Sequence, residues 1–115
     1  MDRQSRDLNW DAVERAFSAN AMPLGTPCPI AVMLEVRTED GVAAVRSALQ
    51  RDGFEVASVE KKWWPFGRRW RVAARMPTPQ PIAQAEINRW LDRLENRIRP
   101  FDADVGTWIP IRPGA

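Results

Sequence analysis

A chain of 115 residues with 44% hydrophobic and 28% charged residues is one globular domain's worth of sequence, large enough for a single core without metal or disulfide staples. The net charge of +2 is too near balance to steer a polyanion to the whole molecule. With no histidine, neither Ser-His-Asp nor Cys-His catalysis is open to it, and the commonest transition-metal ligand is missing; only carboxylates remain for acid–base work.

The single cysteine permits no internal disulfide, no apolar run approaches the roughly 20 residues of a membrane helix, and residues 1–7 lack a signal-peptide plan. The expectation is a cytoplasmic, non-catalytic protein with no membrane, metal or cofactor.

In chain order, Trp10, Val13 and Phe17 fall at i, i+3 and i+7 and predict a helix, with Asp7 or Asn9 as its N-cap. Residues 21–29 carry three prolines and a glycine and read as linker. Residues 1–28 therefore form an appendage that either packs on the domain of residues 29–115 or frays from it. Ile30, Val32, Leu34 and Val36 alternate along a predicted strand. The next helix takes its N-cap from Thr38 to Asp40 and places Val42, Val45 and Leu49 on one face. Gly53 suits the left-handed turn that ends it, and Phe54 folds back as the apolar residue beyond.

Strands follow from Phe54 to about Trp63 and from Arg68 to Met76, joined by a tight turn at Pro65-Phe66-Gly67. Trp70, Val72 and Ala74 alternate with Arg69, Arg71 and Arg75, so one face is buried and the other cationic. Residues 77–81 read as a break, with Pro81 at the first position of a helix carrying Ile87, Trp90, Leu91, Leu94 and Ile98 and stopping before Pro100. Asp102 to Ile111 is a last strand, with Val105, Thr107 and Ile109 on one side and Asp104, Gly106 and Trp108 on the other.

After residue 29 the order is β-α-β-β-α-β. Two right-handed βαβ halves bring the first and third strands to the centre of a four-stranded antiparallel sheet with both helices on one face. The predicted fold is an α+β, ferredoxin-like sandwich with an N-terminal helical extension. The sheet's other face is open, or covered by the N-terminal helix or by a second copy.

Three segments resemble the domain family named for RraB, a regulator and inhibitor of ribonuclease E. Residues 40–56 are similar to its helix–glycine–aromatic–strand opening, residues 70–75 to its central strand, and residues 101–108 to its closing strand. The resemblance spans residues 40–110. The chain departs from that family in being slightly basic and in carrying Val105-Gly106-Thr107-Trp108 where the family closes on Tyr-Asp-Gly-Trp. The resemblance implies a small cytoplasmic regulator that binds another protein, an RNA-processing enzyme in the family's own case.

The richest candidate site is the hairpin. Between residues 60 and 75 lie three of the six tryptophans and six of the seventeen Lys/Arg residues, against one acid, Glu60. The expected contact residues are Trp63, Trp64, Phe66, Arg68, Arg69 and Arg71, with Lys61 and Lys62 adding to the patch. An aromatic anchor ringed by cations suits an acidic protein surface, and a nucleic-acid strand is the alternative for hairpin residues 61–71. Neighbouring strand residues point to opposite faces, so Trp63 and Trp64 cannot both be core.

RNA-recognition domains of this topology stack bases on their central strands, but the matching positions here, Met33, Glu35, Arg71 and Ala73, include no aromatic. Arg89, Arg93 and Arg97 read as a solvated helix face, Cys28 as a structural thiol, and Asp102 and Asp104 as turn and strand-entry residues. A homodimer stacked through the open sheet face is a further expected partner state.

Overall fold

A computed structural model describes residues 1–64 and 67–112; of Trp63, Trp64, Gly67 and Arg68 it describes the backbone only. The elements run α1 (Arg3–Ala19), β1 (Pro27–Val36), α2 (Glu39–Arg51), β2 (Glu55–Trp64), β3 (Gly67–Pro81), α3 (Gln84–Ile98), a 3-10 turn (Arg99–Phe101) and β4 (Ala103–Pro110). This is an α+β fold, with four antiparallel strands in the order β2-β3-β1-β4.

Strand alternation sorts the sheet into two faces. Ile30, Val32, Leu34 and Val36 of β1 are buried, as are Val72, Ala74 and Met76 of β3 and Ala103, Val105 and Trp108 of β4. These positions lie opposite one another: Leu34 faces Val72 on one side and Val105 on the other. The helices close over them with Val45 and Leu49 of α2 and Ile87, Trp90, Leu91, Leu94 and Ile98 of α3. Phe54 and Trp90 meet with ring centroids 5.8 Å apart. No described residue that is buried is polar or charged.

Local chemistry fixes the ends of α2. Thr38 Oγ1 accepts from the Gly41 amide at 3.0 Å. At the other end Gly53 takes φ +91°, and the amides of Phe54 and Gly53 donate to the carbonyls of Leu49 and Gln50. This is the predicted Schellman closure, and it delivers Phe54 to the core. Gly41 lies so close to the turn after α3 that a Cβ there would sit 2.5 Å from the Phe101 carbonyl oxygen.

The N-terminal segment belongs to the same core. Trp10, Val13 and Phe17 of α1 are buried in one cluster with β1, α3 and β4. α1 lies beside α3 in the helical layer. Arg6 bonds Asp92 at 2.7 Å, Glu95 at 3.2 Å and the Asn88 carbonyl at 3.3 Å, and the Met1 ammonium bonds Glu95 at 2.5 Å. Asn9 Nδ2 donates to the Trp108 carbonyl at 3.0 Å and its Oδ1 accepts from Thr107, covering part of the β4 edge. Burial works against the Arg6 charge, yet its hydrogen bonds to Asp92 and Glu95 outweigh that and raise its pKa.

Five expectations are corrected. The N-cap of α1 is Asp2, whose side chain accepts from the Ser5 amide at 2.7 Å, not Asp7 or Asn9. The Ser5 bonds also lower the pKa of Asp2. β1 starts at Pro27, so Cys28 is a fully buried strand residue rather than part of a linker. The segment 77–81 is no break: β3 runs to Pro81, with Gln80 opposite Cys28 and Pro81 opposite Pro27. Beyond Arg75, β3 has no β2 partner and becomes an edge, where prolines are tolerated.

Pro81 consequently ends a strand instead of opening α3, which begins at Gln84 after Ala83. In β4 the register shifts between Met33 and Leu34 of its neighbour, so Thr107 lies opposite Met33 while Val105 lies opposite Leu34. That irregularity at Gly106 reverses the expected sides, making Trp108 core and turning Thr107 and Ile109 outward.

Candidate functional site

The sheet face opposite the helices carries no helix among the described residues, and its side chains form four rows across the strands. Glu55, Arg75, Ala31 and Ile109 make the first. Ser58, Ala73, Met33 and Thr107 make the second. The third runs Glu60, Arg71, Glu35 and Asp104, and the fourth holds Lys62 and Arg69. The two central strands leave Ala31, Met33, Glu35, Arg69, Arg71 and Ala73 half-buried, and Ile109 is 57% exposed at the edge. An uncharged row thus lies between charged rows.

The charges are arranged in pairs. Arg69 reaches Glu35 at 3.4 Å, Lys62 reaches Glu60 at 3.3 Å, Arg75 reaches Glu55 at 3.9 Å, and Arg37 reaches Asp104 at 3.0 Å. Each pair is well exposed and contributes little to stability, on the order of 0–1 kcal/mol. Together they leave the face nearly neutral as a whole. Arg71 is the exception. It lies in register between Glu35 and Glu60, yet no ion pair within 4.0 Å forms to it among the described residues.

The hairpin continues the β2–β3 ladder beyond these rows. β2 and β3 stay paired to its end, with Trp63 opposite Arg68 and Trp64 opposite Gly67. The Phe66 ring and the expected turn at Pro65-Phe66-Gly67 lie outside the described residues, as do the side chains of Trp63, Trp64 and Arg68. Arg69 and Arg71 stand on the open face as expected. Lys61 does not join them. It shares the opposite side with Trp70, its ammonium 5.9 Å from the ring centroid. The expected single cationic patch is therefore split between two sides of the hairpin and diluted by Glu35, Glu55 and Glu60. Trp70, expected in the core, is half-buried and packs at its margin.

The acid partners and the uncharged row were missed because they come together only through strand register. The one sequence signal for the exposed Ile109 is a glycine inside a predicted strand, the usual mark of a bulge.

Two further places were candidates for small-molecule chemistry. A cleft of about 70 Å³ between Glu35, Lys62, Arg69, Trp70 and Arg71 holds no more than a few waters. A groove of about 300 Å³ runs between α1 and the end of β4, lined by Val13, Ala16, Phe17, Met22 and Ile109. Its Asn9 and Asn20 amides are already bonded within the chain, so few polar groups converge there. Among the described residues no three His, Cys, Asp or Glu side chains are grouped to hold a metal, and no helix is long and apolar enough to cross a membrane. Burial raises the pKa of Cys28, which makes it a poor nucleophile.

No protein-family model matches the chain, and no curated protein matches it in sequence.

Proposed function

We propose that the protein is a small, non-catalytic regulator that acts by contact with another protein, through the hairpin and the open sheet face beside it. One observation carries this reading: the face pairs nearly every cation with an acid around an uncharged central row. A polyphosphate backbone is best met by uncompensated cations, whereas a protein surface is matched by mixed charge around an apolar centre. The contact residues are Trp63, Trp64, Phe66, Arg68, Arg69 and Arg71. The β-α-β-β-α-β order, with β1 and β3 central and α2 and α3 on one side, supports a ferredoxin-like description. The resemblance of residues 40–110 to RraB-type domains makes an RNA-processing enzyme in the reducing cytoplasm the partner class to try first.

The test is affinity capture from native cytosol, with and without nuclease, using the wild type and a Trp64→Ala, Arg68→Ala double variant. The expected result is one defined protein that survives nuclease and is lost from the variant. The variant's stability should stay within about 0.5 kcal/mol of the wild type, as for surface substitutions. A large stability loss means the hairpin is core. Loss of every partner on nuclease treatment transfers the hairpin to the nucleic-acid alternative, whose mark is affinity falling steeply with salt.

A further inference from the structure

The open face is complementary to itself, and we infer that a second copy of this chain docks on it, sheet against sheet. β1 and β3 are adjacent, antiparallel and central, with Glu35 opposite Arg71 and Met33 opposite Ala73. A twofold axis running along and between these two strands, midway between two facing sheets, lays β1 of one copy over β3 of the other. It brings Arg71 of each copy over Glu35 of the other and Ala73 over Met33, and each of these contacts occurs twice. Ser58 then meets Thr107 on the same row.

Two features of the single chain favour this occupant. Arg71 is half-buried and lacks an ion pair among the described residues, although acids flank it on both neighbouring strands. The central row carries no charge, with Ala73 and Ser58 permitting close approach, as Ala31 does in the row beside it, and Met33 long enough to fill the space between sheets stacked about 10 Å apart. Like charges would meet only at the periphery, Glu60 against Asp104 and Arg69 against Arg37. Those positions lie at the rim of the footprint, where water and salt screen them.

Four strands over about seven shared residues give roughly 450 Å² of face per copy, about 900 Å² in total, which falls below stable interfaces and in the range of transient ones. The dimer is therefore weak and reversible. The footprint takes in Arg69 and Arg71 and leaves only the hairpin beyond them outside, so a second copy and the proposed partner compete for the open face, and sedimentation of the chain alone tests the first without the second.

Sedimentation velocity on the full chain from about 10 μM to 1 mM tests it. A dimer that forms with concentration is expected. Arg71→Glu and Glu35→Arg should each weaken it by about tenfold or more, and the two together should restore it to within about threefold of wild type. Ala73→Arg should abolish it through added bulk and charge, with an unchanged circular-dichroism melt showing that the fold survives. A monomer at every concentration overturns the inference. So does a dimer indifferent to Arg71→Glu and Ala73→Arg, or a charge swap that fails to restore association.

Discussion

The two faces of the sheet are written in alternate residues of the same strands, and they obey different rules. On β3, Val72, Ala74 and Met76 are buried against the helices, while Ala73 and Arg75 between them face outward. The inner face is aliphatic and aromatic, so the cost of changing it is set by volume and cavity. The outer face holds small side chains and exposed ion pairs that contribute almost nothing to stability, so its composition is free to answer to a partner. A stable fold does not require the row Ser58, Ala73, Met33 and Thr107 to be uncharged, which is why the proposed contact is placed there.

The sharpest way to break this contrast is to truncate one large apolar residue on each face. Trp108→Ala empties a fully buried site and should cost about 3–5 kcal/mol in urea unfolding, against under about 1 kcal/mol for Met33→Ala. Trp108→Phe should cost far less than Trp108→Ala, because the buried indole N–H has no partner among the described residues. Equal losses at Trp108 and Met33 would mean that both faces are core.

A smaller effect locates α1. Arg6→Ala removes two bonds to carboxylates and one to the Asn88 carbonyl, and should cost about 1–2 kcal/mol. Amide exchange should then quicken in residues 3–10 while β2 and β3 keep their protection. If exchange rises across the outer face instead, α1 shelters that face and the open surface is an error.

The smallest effect is at Cys28. Burial lifts its pKa, so the neutral thiol is favoured in the folded chain. The stability this contributes is complete below about 8.5, the ordinary thiol value, and is lost as pH rises through the elevated folded value. A disulfide reagent at pH 8 should react with Cys28 only as fast as the chain opens. Rapid reaction in native buffer would show the thiol accessible.

Most of the fold was legible because its signals are local: alternation in β1 and β3, the Thr38 cap, the Gly53–Phe54 closure and the Trp90 stripe each need only a few neighbouring residues. What was hidden depends on pairing. Prolines 77, 79 and 81 look like a break until the loss of β2 as a neighbour makes that stretch of β3 an edge. Gly106 reverses the sides of β4 through its register with β1, and Arg6 finds Asp92 and Glu95 across more than eighty residues of chain. The candidate site divides the same way. Arg69 and Arg71 were readable from alternation, while the acids that neutralise the face were not.

The separation of the two faces is tested most directly by melting a matched pair, Ala73→Glu and Ala74→Glu, adjacent on β3. The account predicts that Ala74→Glu, which buries a carboxylate in the core, unfolds the protein or lowers its melting temperature severely. Ala73→Glu should melt close to the wild type and fail to self-associate. If both variants melt early, the outer face is covered in the folded chain and cannot be the contact surface.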